Sequence, residues 1–294
     1  MSLNYEYINE LLKYEKPQNG LYIVPTPIGN LGDITIRSLK ILSTVDLVLC
    51  EDTRISKKLF SKFGIKSKLK PFHKFNSKKT IPNLIEKLSK KNAIALISDS
   101  GTPVISDPGA DLIRFCFAEK IPIFSLPGPT APIASFVLSN FSSTSFSFQG
   151  FFPRLQKDLK KIIVYLRSTN CPTIFFESPK RILRTLDSIY KEFGDCKITF
   201  VRELTKRHEE VINSNVTNLI EILNKKEKIL GEITFIVETQ SDEPISTISS
   251  KDILTLSKKL TDDGMNIRDI SRMLSKDLNI SKREVYQLII KNKK

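Results

Sequence analysis

The sequence predicts an α/β protein made of two α/β domains followed by a small helical module. Three observations lead there. From residue 21 to 126, short apolar runs alternate with helical stretches, the pattern of a mostly parallel sheet. From about Pro153 to Thr239, some apolar runs follow one another with no helix between them, which suits a mixed sheet. After Asp242-Glu243-Pro244 the apolar residues recur only at helical spacing. At about 150 residues per domain, a chain of 294 residues has room for roughly two domains. It can bury a sizeable core without disulfide or metal staples.

Residues 1–19 read as an N-terminal extension. The first domain, 20–150, opens with a strand at 21–25 and a helix at 34–45, where Ile34, Ile36, Leu39, Ile41 and Leu42 fall at helical spacing. Further strands are expected at 46–50, 94–97 and 121–126, with helices at 53–63, 80–91 and 109–119. Residues 121–153 contain no Asp, Glu, Lys or Arg, but Pro122, Pro127, Pro129 and Pro132 interrupt them. That stretch reads as a buried strand, a turn and a packed helix. Gly150 and Pro153 punctuate the chain before the second domain, 151–242. Its strands are expected near 173–177, 198–202, 209–213 and 233–238, and its helices near 155–168, 179–191 and 216–225. In the module at 243–294, Ile267, Ile270, Met273 and Leu274 have helical spacing, as do Val285, Leu288 and Ile289. Ser281-x-x-Glu284 is a capping-box start for the last helix, and two short helices joined across Asn279-Ile280 resemble a helix-turn-helix. Lys251–Lys294 holds 11 basic and 6 acidic residues, suiting either a packing cap or a nucleic-acid contact.

Composition excludes several classes. The chain has 46 Lys and Arg against 32 Asp and Glu, a net charge of +14, with 40% hydrophobic residues. That is a globular composition whose basic balance suits a polyanionic partner. No uninterrupted apolar run reaches about 18 residues, so no membrane span is expected. Met1–Gly20 has acidic residues and no long apolar segment, unlike a signal peptide. Cys50, Cys116, Cys171 and Cys196 form no Cys-x-x-Cys pair and read as small buried hydrophobes of a reducing, cytoplasmic compartment. The two histidines, His73 and His208, are too few for a histidine-built metal site or a Ser-His-Asp triad, and no metal is expected.

Glycine is scarce, at 11 residues, so its placement is informative. Gly29, Gly32, Gly101, Gly109 and Gly128 fall just after predicted strands, where open α/β sheets bind ligands. Loops 25–33, 98–109 and 126–131 are therefore candidates for one crevice. Neither a Gly-x-Gly-x-x-Gly fingerprint nor a P-loop occurs. Ser98-Asp99-Ser100-Gly101-Thr102-Pro103 combines a carboxylate, hydroxyls and approachable backbone, which can grip a small zwitterion. The same residues also suit two Pro/Gly turns with capping side chains.

These loops carry a family resemblance. Pro25-Thr26-Pro27-Ile28-Gly29-Asn30-Leu31-Gly32-Asp33 resembles the first signature of the tetrapyrrole-methylase superfamily. Glu51-Asp52-Thr53-Arg54, Ser98 to Gly109, and Pro127-Gly128-Pro129-Thr130-Ala131 look like its branch acting on small-subunit ribosomal RNA. Glu177-Ser178-Pro179-Lys180-Arg181 and Arg202-Glu203-Leu204-Thr205-Lys206 extend the match, which runs in order over roughly residues 20–240. The resemblance implies two α/β domains with S-adenosylmethionine (SAM) in the cleft between them, in a homodimer. It also implies 2′-O-methylation of a cytidine in the decoding region of 16S ribosomal RNA, within the small subunit; neither DNA nor a membrane is an expected partner. By motif position, Pro27 lines the cofactor pocket, and Ser100, Gly101 and Thr102 meet the methionine end, with Ile105 nearby. Thr130 and Ala131 follow the turn at Gly128, Phe176 and Glu177 close the adenosine side, and Asp99 and Gly231 join the set. Two positions depart from the pattern: Ser100 stands where the family commonly has Ala, and Lys180 where it commonly has His. Lys180 then reads as a phosphate contact.

A ribose hydroxyl is a poor acid, so a base or a nearby cation should assist its deprotonation. The candidates are Glu51, Asp52, Arg54, Arg202, Glu203 and Lys206; the alternative reading of each is an interdomain salt-bridge network. Lys57–Lys79 contains nine lysines and no acidic residue, with Phe60, Phe63, Phe72, His73 and Phe75 interleaved. The lysines read as RNA contacts, and Phe60 and Phe63 as core. A second basic cluster follows at Arg154, Lys157, Lys160, Lys161 and Arg167. Two other readings stay open: a tetrapyrrole C-methyltransferase, which the superfamily allows, and a non-catalytic RNA-binding protein.

Overall fold

In the computed structural model, residues 15–239, 254, 257, 258, 260, 261, 265–278 and 282–291 are described. Most of the predicted extension, the Asn279-Ile280 junction and Ser281 of the capping box lie outside them. Residues 1–239 and 240–294 form two compact units.

The first unit contains two five-stranded sheets. Strands β1 (Gly20–Ile23), β2 (Leu47–Cys50), β3 (Leu69–Pro71), β4 (Ala93–Leu96) and β5 (Ile123–Ser125) form the first, in the order β3-β2-β4-β1-β5. Every pairing in it is parallel. Its three central strands, β2, β4 and β1, are apolar throughout because helices cover both faces. On one face, Tyr22, Val24, Ala93 and Ala95 pack against Ile41 and Leu42 of α1 (Ile36–Thr44) and Phe60 of α2 (Thr53–Phe63). Their neighbours Leu21, Ile23, Ile94 and Leu96 point the other way, onto α3 (Ser77–Ser89) and α4 (Ala110–Ala118). This is the period-2 alternation of a strand. The loops leaving β1 and β4 therefore feed helices on opposite faces of the sheet.

Local chemistry sets the helix ends. Asp52 caps α2 through a side-chain bond from the Arg54 amide, and Gly64 ends it at φ +67°. The edge strand β3 was not foreseen. Leu69-Lys70-Pro71 is too short and too polar to register as an apolar run, and an edge position tolerates its proline.

The second sheet runs β6-β7-β10-β8-β9, built from β6 (Ser147–Phe151), β7 (Thr173–Glu177), β8 (Lys197–Arg202), β9 (Glu210–Asn215) and β10 (Ile233–Glu238). Only β6 and β7 are parallel. The division expected between residues 150 and 151 falls inside β6, so this sheet starts at Ser147. On one face Phe175, Phe200 and Phe235 pack with Leu166 of α6 (Gln156–Ser168), Leu186 of α7 (Ile182–Phe193) and Leu219 of α8 (Val216–Asn224). Helix α5 (Ala131–Val137), which follows the first sheet in the chain, packs against β7 and β10. That contact brings the Thr130–Ala131 loop to the second sheet.

In the C-terminal unit, α9 (Ile267–Leu278) and α10 (Lys282–Lys291) pack through Ile270, Leu274, Val285 and Ile289. These are the positions the helical spacing marked. Among the described residues no helix is long and apolar enough to cross a membrane, and no group of three or more His, Cys, Asp or Glu is placed to hold a metal ion. All four cysteines are free; Cys50 and Cys116 are buried, Cys171 and Cys196 partly so.

Candidate active site

Three loops at the carboxyl ends of first-sheet strands meet, because glycines let their backbones touch. Thr26 and Gly101 exchange backbone hydrogen bonds of 3.0 Å, joining the loops after β1 and β4. Gly101 sits at φ +81°, and Ser98 Oγ donates to its carbonyl at 2.9 Å. Thr102 Oγ1 donates to the Pro129 carbonyl at 3.0 Å, adding the loop after β5. At Gly128 a Cβ would lie 2.6 Å from Pro25 Cβ, so the third loop can approach the first only without a side chain. Val104 and Ser106 hold positive φ angles of 75° and 71°. That is strained backbone for a β-branched valine and typical of ligand-gripping loops.

The second sheet closes the opposite side. The Asn30 amide donates to Thr205 Oγ1 at 3.0 Å. Lys206 Nζ bridges Glu203 at 2.9 Å and Glu232 at 3.0 Å. Gly231, at φ +95°, lies directly against the Glu203 carboxyl group.

Between these walls is a cavity of about 410 Å³. Asp99, Ser100, Gly101, Thr102, Ile105, Thr130, Ala131, Phe176, Glu177 and Gly231 all line it. Pro27 lies in a neighbouring groove instead. The apolar walls of the 410 Å³ cavity include Ile28, Phe151, Phe176, Val201 and Ile233, and the exposed Phe151 ring packs edge-on to Phe176 at 5.5 Å. Glu177 is structural as well as lining. Its buried carboxylate accepts from Ser178 N at 2.7 Å and Thr185 Oγ1 at 2.6 Å, with Arg181 at 3.3 Å.

The six candidate catalytic residues separate. Glu51 alone lines the cavity. Asp52 and Arg54 are spent on each other, at 2.6 Å, and that pairing holds the half-buried Asp52 carboxyl down at about 2. Arg202 donates to Glu210 at 2.8 Å and to the Leu230 carbonyl at 3.1 Å. Glu203 and Lys206 pair beneath the cavity, and Lys206 reaches the neighbouring groove. For Arg202, Glu203 and Lys206 the structure therefore shows ion pairs, with those of Lys206 joining Glu203 to Glu232.

Glu51 faces two further carboxylates, Asp99 and Asp107. Burial, then the charges of Asp107 and Asp99, push Glu51 up to about 7. Burial and then Asp99 push Asp107 up to about 6. Burial also raises Asp99, whose Oδ1 accepts from the Asp52 amide at 3.1 Å. Asp107 and Phe151 were missed by sequence reasoning. The available signal for Asp107 is its place with Asp99 in loop 98–109, one of the three loops expected to share a crevice. Phe151 carried no motif.

The basic stretch divides as well. Phe60 and Phe72 are buried, Phe63 packs on the core, and Phe75 is 95% exposed.

Two α/β layers facing each other across glycine-tight strand-end loops define a class. Residues 20–220 match the family model of Tetrapyrrole (Corrin/Porphyrin) Methylases. The chain belongs to that family and, within it, groups with the proteins named ribosomal RNA small subunit methyltransferase I. The protein of that name from Thermotoga maritima is 44% identical over 217 residues, covering 74% of this chain and 97% of the relative. The one from Bacillus subtilis is 34% identical over 273 residues, covering 90% and 92%. Among solved structures, a diphthine synthase aligns at TM-score 0.57 and 14% identity, over 74% of this chain and 88% of that one. A uroporphyrin-III C-methyl transferase from Thermus thermophilus, complexed with S-adenyl homocysteine, aligns at 0.53 and 14%, over 75% and 98%. These two share the fold.

Proposed function

We propose that this chain methylates ribosomal RNA of the small subunit, using SAM, at the 2′-oxygen of a cytidine in the decoding region of 16S RNA. The observation that carries the reading is the relatedness to ribosomal RNA small subunit methyltransferase I, which runs through 90% of the chain in one relative. The site's chemistry supports it. The gap that Gly128 leaves over Pro25 and the turn at Gly101 make a cradle that a side chain would fill. Ser100–Thr102 and Thr130–Ala131 offer backbone and hydroxyls to an amino-acid end, and Phe151, Phe176 and Ile233 offer apolar faces to an adenosine end. Of the five carboxylates on the cavity, Glu177 and Glu232 are ion-paired; the other three, Glu51, Asp99 and Asp107, suit a cationic ligand, whose charge would relieve their mutual repulsion. When bound, SAM supplies a methyl group already activated by its positive sulfur.

Glu51 takes the proton of the ribose hydroxyl. It is the only one of the six candidates that lines the cavity, and no ion pair occupies it among the described residues. A carboxylate held near 7 is well matched to accepting a proton at neutral pH. Burial, then Asp107 and Asp99, raise that proton affinity in the site before the cationic ligand binds. The helix α5 face that exposes Ile133 and Val137 supports the expected homodimer.

The test is methyl transfer from labelled SAM to small subunits lacking their own modification, with the labelled nucleotide mapped. Label on a 2′-oxygen of a decoding-region cytidine is expected. SAM binding with no label on any RNA overturns the reading, and label on uroporphyrinogen favours tetrapyrrole chemistry.

A further inference from the structure

A second groove, of about 450 Å³, opens beside the cavity and shares Ile28, Asp99, Ser100 and Glu232 with it. Helix α2 forms one of its walls. Ile55, Lys58, Leu59 and Lys62 line the groove and recur three or four residues apart, so they share one helix face. Ile55 is 44% exposed and Leu31, also lining the groove, 42%. Two lysines four residues apart repel each other. Among the described residues neither Lys58 nor Lys62 has an ion-pair or hydrogen-bond partner to offset that. They sit in the stretch from Lys57 to Lys79 that has nine lysines and no carboxylate. The groove thus joins an unneutralised cationic edge to exposed apolar surface, and it leads to the loop that carries Asp99 and Ser100.

We propose that this groove is the track for the single-stranded RNA that presents the acceptor nucleotide. Lys58 and Lys62 take phosphates, and Ile55 and Leu31 take the face of a base or ribose. A polyanion with flat apolar faces matches both halves of the groove. The assignment rests on the RNA reading above and adds the surface that holds the strand.

The test compares the full chain with a Lys58→Gln/Lys62→Gln variant and with a Lys225→Gln/Lys228→Gln control, two exposed lysines outside the groove. SAM binding by calorimetry and the melting temperature should match wild type in both. Binding of a short single-stranded RNA is then measured across salt concentrations. Each phosphate contact contributes about 0.7 to the slope of log affinity against log salt. Loss of two contacts should flatten the slope by about 1.4 and shrink the affinity loss between about 50 and 200 mM salt by roughly sevenfold. The control should keep the wild-type slope. An unchanged slope in the groove variant, or equal flattening in both variants, overturns the proposal. So does polyglutamate that competes as well as RNA of equal charge. Should the wild type bind RNA through these lysines yet leave small subunits unmethylated, the groove stands and the methyl-transfer reading falls.

Discussion

Replacing Glu51 with Gln separates chemistry from stability. The Glu51 carboxyl rises from 4.5 to about 7 in the fold. One unit is worth about 1.36 kcal/mol, so the full shift is roughly 3 kcal/mol. Glu51 is only partly buried, and solvent screening cuts this to about 1.5 kcal/mol. Because the folded-state value lies above the unfolded one, the fold prefers the protonated acid. The strain is absent below about pH 4.5, grows as pH rises towards 7 and is full above it. Gln is neutral throughout. Glu51→Gln should therefore melt at the wild-type temperature near pH 4, and about 3–6 °C higher at pH 8. Its methyl transfer should fall by about 10²-fold or more, with the rising limb of the wild-type pH–rate profile abolished. Calorimetric melts at the two pH values and single-turnover methylation across pH provide the assay. Equal melting differences at both pH values would refute the desolvated, like-charged environment. A Gln variant that kept the pH limb would refute Glu51 as base.

Three further outcomes follow from the geometry. Gly128→Ala places a Cβ 2.6 Å from Pro25; it should cost about 1–3 kcal/mol in chemical denaturation and weaken SAM binding at least tenfold by calorimetry. Arg202→Ala breaks the bonds to Glu210 and the Leu230 carbonyl away from the cavity, so stability should drop by about 1–3 kcal/mol while kcat on folded protein holds. SAM binding near pH 6.5 should release a proton, because a cationic ligand lowers Glu51 and Asp107 from about 7 and 6. Calorimetry in buffers of different ionisation enthalpy reads that release, and Glu51→Gln should reduce it.

Most of the elements, though not the strands β3 and β6, and the loops that line the cavity are legible in the amino-acid sequence. The apolar runs at β1, β2, β4, β7 and β10 are strong local signals, and so are the helical spacings of Ile270, Leu274, Val285 and Ile289. Glycine after each of several strands marked the loops that line the cavity, because a missing Cβ is written in the sequence wherever backbones must touch. What a charged side chain faces is not written there. Glu51, Asp52, Arg54, Arg202, Glu203 and Lys206 read alike as candidates, and only the fold turns Glu51 into the cavity and leaves Arg202 on Glu210. The high proton affinity of Glu51 comes first from burial and then from Asp107 and Asp99, about fifty residues further along the chain. The cavity wall depends on Asn30 meeting Thr205, 175 residues apart. The α2 groove beside it exists only because loop 25–31, helix α2 and Lys206 converge. Local propensity acts over a few residues, while charge, burial and shape at the site are sums over neighbours that only tertiary packing brings together.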